Sequence, residues 1–473
     1  MGISRRSALS GIATGAAATG LMACDSNSQV SSNHEAPVSS SISALELPPT
    51  PSSLFYNKAR AADILAEEKV DLLICSEPRN IYYLTNQKPM TYRLGMNDYS
   101  YATLAAKTPD RPTFIIGRFG VYFGGVADTD IFNELDYKLF SVPADPASFA
   151  SLTDINDIIN APVFEDFYPR YHQEVELAPH IKQRRERDKI AKREHFATVE
   201  GALIKQILDT DLENKTVAID HPKIRETLAK SDLDLRIVDG ERIIKKIRLQ
   251  KTAAELELAR YAIEANAASA RQAVKSIRAG ASLQELRREF ARNCGANLSQ
   301  PVFMAIDAIV PELIPGNIPE GRTFLIDCVS EFQGYHGDFG RTVCVGEPTR
   351  QMKKVVDALS DTWDRLMPML KVGTKYSEIY AAGTKLFAET GVDAGFAINP
   401  HSVGLQHTDE PSKADFGLWE KDEIELVENM ILSIDMPLLD SGLGGTAHLE
   451  DLVLVGKDGP ELLNTSNDRF IVV

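Results

Sequence analysis

Two aspartates, Asp327 and Asp338, carry the first chemical signal in the chain. Both stand in the stretch Thr323 to Val345, TFLIDCVSEFQGYHGDFGRTVCV. An apolar run delivers Asp327, a Gly-rich turn follows, and Asp338 returns just before a second run of β-formers. Two carboxylates at the ends of strand-like segments, brought back toward each other by a reversal, make a metal clamp. An ordinary β-hairpin with solvated acids has the same local pattern, because Asp is common in turns. The rest of the chain decides between them.

At 473 residues the chain is too long for one ordinary domain, so two domains plus a processed segment are expected. With 44% hydrophobic residues there is ample material for a core, and a formal net charge of −16 argues against a nucleic-acid partner. The basic cluster Lys182 to Arg193 is interleaved with Glu186, Asp188 and Glu194, which reads as a solvated helix face.

Residues 1–24 read as a processing segment. The twin arginine in Ser4-Arg5-Arg6-Ser7-Ala8-Leu9, followed by the weakly apolar stretch Gly11 to Ala23, resembles a twin-arginine export signal. It ends in Leu21-Met22-Ala23-Cys24, which resembles a lipoprotein cleavage box and makes Cys24 a lipid-anchor candidate; simple cleavage near Ala23 and a soluble periplasmic product is the alternative. Residues 25–50, rich in Ser, Asn and Pro, are expected to be a disordered tether. Cys75, Cys294, Cys328 and Cys344 show neither metal-ligand spacing nor a disulfide framework, and read as buried thiols.

The elements that must position the acids follow. Asn57 to Lys69 has helical periodicity, Val70 to Cys75 is a short buried strand, and PRNIYYLT (78–85) leads out of it. Further strands are expected at Tyr101 to Ala106, Thr113 to Gly117, Ile131 to Asp136, Tyr137 to Val142 and Thr216 to Asp220, with one helix from Gln183 to Leu208. This alternation predicts an α/β domain over 51–241. A second domain, 242–473, opens with a long helix after Ile247 to Glu255 that runs to about Ile277. Gly280 stops it, and Ser282 with Glu285 forms a capping box for the next helix.

The helix-strand opening closed by PRNIYYLT is similar to the N-terminal domain of creatinase, prolidase and aminopeptidase P. The helix pair after Ile247 resembles the entry to the pita-bread domain of the same family. Asp327 and Asp338, with Gly337 before and Arg341-Thr342 after the second, resemble the D-x10-D and G-D-x-x-R-T signature of its dinuclear metallopeptidases. The overall expectation is therefore an α+β chain with a creatinase-like N-terminal domain and a C-terminal pita-bread domain.

The resemblance implies further site residues. Asn399 to Pro411 matches the H-x-x-G pattern that supplies the family's single His ligand, which gives that role to His401. Asp435, before Met436-Pro437, stands where the family has Glu, and Glu450 in His448-Leu449-Glu450-Asp451 stands at the bridging Glu. The implied metal ligands are thus Asp327, Asp338, His401, Asp435 and Glu450. Four carboxylates and one neutral imidazole balance two divalent ions, and so oxygen-rich a set suits Mn, Co, Fe or Zn. Two such ions would hold a bridging hydroxide against a substrate carbonyl.

Some positions depart from the family. Asp435 is one methylene short, Thr408 rather than His407 aligns with a catalytic His, and no His lies between His221 and His336. His448 replaces an Arg two residues before the bridging Glu. His407, His448 and His336 are the candidate proton-transfer residues. The expected function is an exported metal-dependent exopeptidase or dipeptidase acting on Xaa-Pro bonds, with a homodimer implied by the resemblance. The alternatives are a scaffold reused for a small-molecule hydrolase or lyase, and a peptide-binding lipoprotein without turnover.

Overall fold

The computed structural model describes residues 44–88, 100–117, 120–121, 129–164, 176–230, 233–412, 423–464 and 468–473. The twin-arginine and lipobox motifs, Cys24 and the tether as far as residue 43 lie outside the described residues. Leu45, inside the stretch expected to be a tether, packs against the main core and donates its N–H to Asn297 Oδ1 at 3.0 Å.

Two sheets organise the described chain. The first runs β5-β4-β3-β2-β1-β6-β7, with β1 Leu72–Cys75, β2 Tyr101–Ala105, β3 Thr113–Gly117, β4 Asp136–Phe140, β5 His195–Phe196, β6 Thr216–Ile219 and β7 Arg236–Asp239. Every residue of β1 and β6 is buried, which is why both read as continuous apolar runs. Asn57 opens the helix Lys58–Glu67 by accepting the Arg60 N–H on its side chain, and Pro78 opens the helix Pro78–Thr85, where its missing N–H costs nothing.

Two expectations need correction here. The strand expected at Ile131 to Asp136 is a short helix, Thr129–Asn133; Ile131, Phe132 and Leu135 are buried, and a short apolar run satisfies a helical turn as well as a strand. The single helix expected over 183–208 is two, Pro179–Ala191 and Val199–Asp209. Between them β5 pairs with the sheet edge at β4, and Thr198 caps the second helix by accepting the Gly201 N–H. Helix Gly240–Arg248 runs through the expected domain boundary at 241–242 and packs on β1, β6 and helix Lys58–Glu67.

The second sheet runs β11-β12-β13-β10-β9-β8, with β8 Gln300–Ile306, β9 Thr323–Phe332, β10 Tyr335–Cys344, β11 Asn399–Ser402, β12 Ile431–Leu438 and β13 Ala447–Gly456. β14 Gly459–Leu462 pairs with β13 and β15 Phe470–Val472 with β10. Helix Ala253–Lys275 lies across β9 and β10, opened by a capping box of Thr252 and Glu255, and the expected Ser282–Glu285 box opens helix Leu283–Ala296. The long helix ends at Lys275, and Gly280 takes the following turn at φ +80°. The four cysteines are free and buried, as the reading of their spacing requires.

One apolar cluster runs from the first sheet to the second: Leu73, Leu104 and Phe114 join Leu258, Tyr261, Tyr335 and Leu452. Phe55 sits edge-on to both Tyr82 and Tyr335 at 5.2 and 5.8 Å. Among the described residues no helix is long and apolar enough to cross a membrane.

Candidate metal centre

The hairpin seen in the sequence is real. β9 and β10 pair along their whole length, with Gln333 and Gly334 at φ 51° and 87° in the turn. Asp327 lies opposite Gly340, so Asp338, two residues earlier on β10, shares its face diagonally across the pair. Gly340 also faces Glu450 on β13, and Glu450 faces Asp435 on β12. One register line thus carries three carboxylates and a glycine across four strands. His401 on β11 lies opposite Ser433 on β12, two residues from Asp435, which brings it to the same face.

The glycine makes room. A Cβ at Gly340 would stand 2.2 Å from His448 Cε1, so the imidazole occupies the space a side chain would fill. On the other face, a Cβ at Gly337 would meet Asn266 Cβ at 2.5 Å and the Ala262 carbonyl at 2.6 Å, where helix Ala253–Lys275 approaches β10. Arg341, also on that face and fully buried, donates to the Glu450 carbonyl at 2.7 Å and to Asp451 Oδ1 at 2.6 Å, which holds β13 against β10.

The structure brings all five expected ligands to this face and adds two histidines. His401 Nε2 lies 3.6 Å from both Asp338 Oδ2 and Glu450 Oε1. His407, not Thr408, reaches the cluster: its Nε2 is 3.0 Å from Asp338 Oδ2. The loop after β11 accounts for that shift. Asp409 folds it by donating its N–H to the Ser402 carbonyl and accepting the Leu405 N–H on Oδ2. His448 Nε2 lies 2.7 Å from Asp435 Oδ1, so the shortened carboxylate meets an imidazole. His448 and Glu450 are the second and fourth residues of β13. His336 is buried with Nδ1 at 3.2 Å from the Gly404 carbonyl, outside both groups of possible ligand atoms.

A second network was missed in the sequence. Arg248, Lys251 and Asp409 are all buried; Arg248 bonds Asn80 Oδ1 of the first sheet's layer, Gln406 Oε1 and Asp409 Oδ1. A Cβ at Gly404 would stand 2.3 Å from Asp409 Oδ2, so this loop needs glycine for the close approach. The signal was present in the buried-helix pattern of Ile247 to Glu255, where two basic residues interrupt an apolar face.

Electrostatics shows what the cluster lacks. Burial and the neighbouring Asp338 push Asp327 up to about 7. Burial, then Asp338, Asp435 and Asp327, push Glu450 well above the carboxylate range. Burial also opposes ionisation of Asp338, yet His407 and His401 outweigh it and hold that carboxyl down to about 2. Asp338 in turn outweighs the burial of His407 and lifts it to about 9. The buried atoms Asp327 Oδ1, Asp338 Oδ1 and His401 Nδ1 have no hydrogen-bond partner. Orphaned donors and mutually suppressed acids are what a donor set for cations looks like without them, so the residues fit divalent ions.

This sheet and its helices have the pita-bread fold, with an acid-histidine face on the second sheet. Residues 257–457 match the model of metallopeptidase family M24. The chain is 24% identical over 239 residues to the Xaa-Pro dipeptidase of Pyrococcus horikoshii, a match covering 49% of this chain and 66% of that one. It is 28% identical over 156 residues to the probable dipeptidase PepE of Mycobacterium tuberculosis, covering 33% and 40%. These matches span two thirds or less of the relatives' length. The solved prolidase of P. horikoshii superposes with a TM-score of 0.56 at 16% identity, covering 87% of this chain and 98% of that one. The X-Pro aminopeptidase of Thermotoga maritima gives 0.57 at 16%, covering 88% and 99%. At such identity these structures establish the shared fold.

Proposed function

We propose that this protein is a metal-dependent dipeptidase or exopeptidase hydrolysing Xaa-Pro-type peptide bonds with two divalent ions. The observation that carries the reading is the convergence of Asp327, Asp338, His401, Asp435 and Glu450 on one sheet face within the residues that match family M24. Support for the substrate class comes from relatives named Xaa-Pro dipeptidase.

Divalent ions, which Asp327, Asp338, His401, Asp435 and Glu450 would hold, would supply Lewis acidity toward a peptide carbonyl and toward water. The chain's own groups prepare the site. Ser433 Oγ donates to Glu450 Oε1 at 2.6 Å and fixes that carboxylate's rotamer. Phe303 of β8 presents itself edge-on to His407 at 5.9 Å and walls the site on that side. His336 donates through Nδ1 to the Gly404 carbonyl, which leaves a lone pair on Nε2 and keeps this histidine as our candidate for proton transfer.

Export by the twin-arginine route, anchoring through Cys24 and a homodimeric assembly belong to the same proposal and rest on the motifs in residues 4–24 and on the family resemblance. The test is metal analysis of chelator-free protein, followed by assay on Xaa-Pro dipeptides and tripeptides after Mn, Co or Zn loading. Two ions per chain and Xaa-Pro turnover are expected; fewer than about one ion with no turnover defeats the reading. Fractionation of cells expressing the full chain and its Cys24→Ser variant checks the anchor.

A further inference from the structure

We propose that His407 and His448 are themselves metal ligands, so that one ion is held by Asp338, His401 and His407 and the other by Asp327, His448 and Glu450 with Asp435 beside them. The inference rests on the reading that the cluster holds two divalent ions, and it changes which atoms hold them.

Two trios can be told apart, and they adjoin where Glu450 Oε1 lies 3.6 Å from His401 Nε2. The ligating atoms of Asp338, His401 and His407 all lie within 4.8 Å of one another, and the same holds for Asp327, His448 and Glu450. Each trio mixes imidazole and carboxylate.

The chemistry of His448 is the most telling. Its Nδ1 faces the Ile326 carbonyl at 3.3 Å, and a carbonyl only accepts, so Nδ1 carries a proton. Nε2 then faces two carboxylates, Asp435 Oδ1 at 2.7 Å and Glu450 Oε2 at 3.7 Å. A nitrogen and two carboxylates converging at such distances share a positive centre, which is a proton on Nε2 in the metal-free chain and a metal ion in its place when one binds. A backbone carbonyl holding the far ring nitrogen is the partner that orients metal-bound histidines. Gly340 gives up its side chain to admit this ring.

His407 repeats the arrangement with a different partner set. His407 Nε2 and His401 Nε2 both point to Asp338 Oδ2, at 3.0 and 3.6 Å, while their rings lie 4.8 Å apart, centroid to centroid. Neither approach has the alignment of a hydrogen bond, and Asp338 is fully buried with both oxygens lacking an aligned donor. Two imidazoles and a carboxylate directed at one point make an ion site.

Three imidazoles over two ions, where the sequence pattern implies one, enrich the site in nitrogen. Imidazole favours Zn, Co and Fe, whereas oxygen-rich sets favour Mn. The structure therefore assigns this protein a metal preference displaced toward Zn or Co.

X-ray absorption on the full folded chain, stripped with chelator and reloaded with Zn or Co, counts imidazoles directly and needs no variant. Three imidazoles shared between two ions are expected; two ions with a single imidazole between them overturn the proposal while leaving the metallopeptidase reading intact. A folded chain that takes up no ion overturns both. His407→Ala and His448→Ala, checked for folding by circular dichroism, should each remove one imidazole from a different ion and narrow the preference for Zn over Mn. Unchanged imidazole count and metal affinity in both variants counts against the assignment.

Discussion

Arg248 Nη2 donates to Asp409 Oδ1 at 2.5 Å, with both side chains only 1% exposed. The pair ties a helix of the first sheet's layer to the loop that carries His407. Arg248 also holds Asn80, whose amide reaches Asp220 Oδ2 at 3.0 Å and Glu241 Oε2 at 2.7 Å. The N-terminal layer is thereby wired to the metal-facing loop by hydrogen bonds as well as by apolar packing.

Breaking this pair from one side strands a buried charge. Arg248→Met or Asp409→Asn should each cost about 3–5 kcal/mol, because the surviving group loses its compensation without regaining water. The double variant should lose clearly less than the sum of the two, which a double-mutant cycle in urea measures. Additive losses would show that the two side chains are energetically independent.

The two glycines of β10 should respond differently to the same methyl group. In Gly337→Ala the new Cβ meets the backbone of helix Ala253–Lys275, which cannot move alone, so stability should fall by about 1–3 kcal/mol. In Gly340→Ala it meets the His448 ring, a side chain that can swing aside. Thermal stability of the metal-free protein should therefore change little, while affinity for one of two ions drops by about 10–100-fold. Melting curves with and without metal separate the two cases.

Glu255 is buried beside Lys251 and Asp409, and burial raises it from 4.5 to about 7. The folded state holds this proton more tightly than the unfolded chain does. Its contribution is complete below about pH 4.5 and is lost as pH rises through about 7, a fall of up to about 3 kcal/mol. Glu255→Gln keeps the acceptor for the Thr252 N–H and has no proton to lose. Denaturant midpoints from pH 5 to 8 should slope less in this variant than in the native chain.

Metal uptake should release protons. Asp327 at about 7, the raised Glu450 and His407 at about 9 all hold protons near pH 6 in the metal-free site, and ligands bind metal deprotonated. Affinity should climb from pH 6 to 8. Calorimetry in two buffers of different ionisation enthalpy counts the protons released, and identical heats in both would refute the linkage.

His336 lies outside both ligand groups. His336→Gln should leave metal content unchanged and lower kcat by about 10²-fold, the usual weight of one proton-transfer group. A loss of metal in this variant would instead place the ring in the ligand set.

Much of the architecture was legible because periodicity and caps are local. The β9–β10 hairpin, the Ser282–Glu285 box and the buried strand before Pro78 each follow from neighbours within a few residues. The helix expected over 183–208 was misread because strand β5 exists only through pairing with β4, an interaction between residues more than fifty positions apart. Thr129–Asn133 was misread because an apolar run of that length fits either backbone.

The site divides along the same line. In the sequence, the family resemblance implied which residues could hold metal, Asp327, Asp338, His401, Asp435 and Glu450, and these fall one on each of the strands β9 to β13. The tertiary structure alone decided where the three candidate histidines His336, His407 and His448 sit. Register sets Gly340 against Glu450 and opens space for His448, and a loop folded around buried Asp409 turns His407 rather than Thr408 toward Asp338. Those outcomes depend on separations of about 3 Å between residues tens of positions apart, and only packing sets such distances.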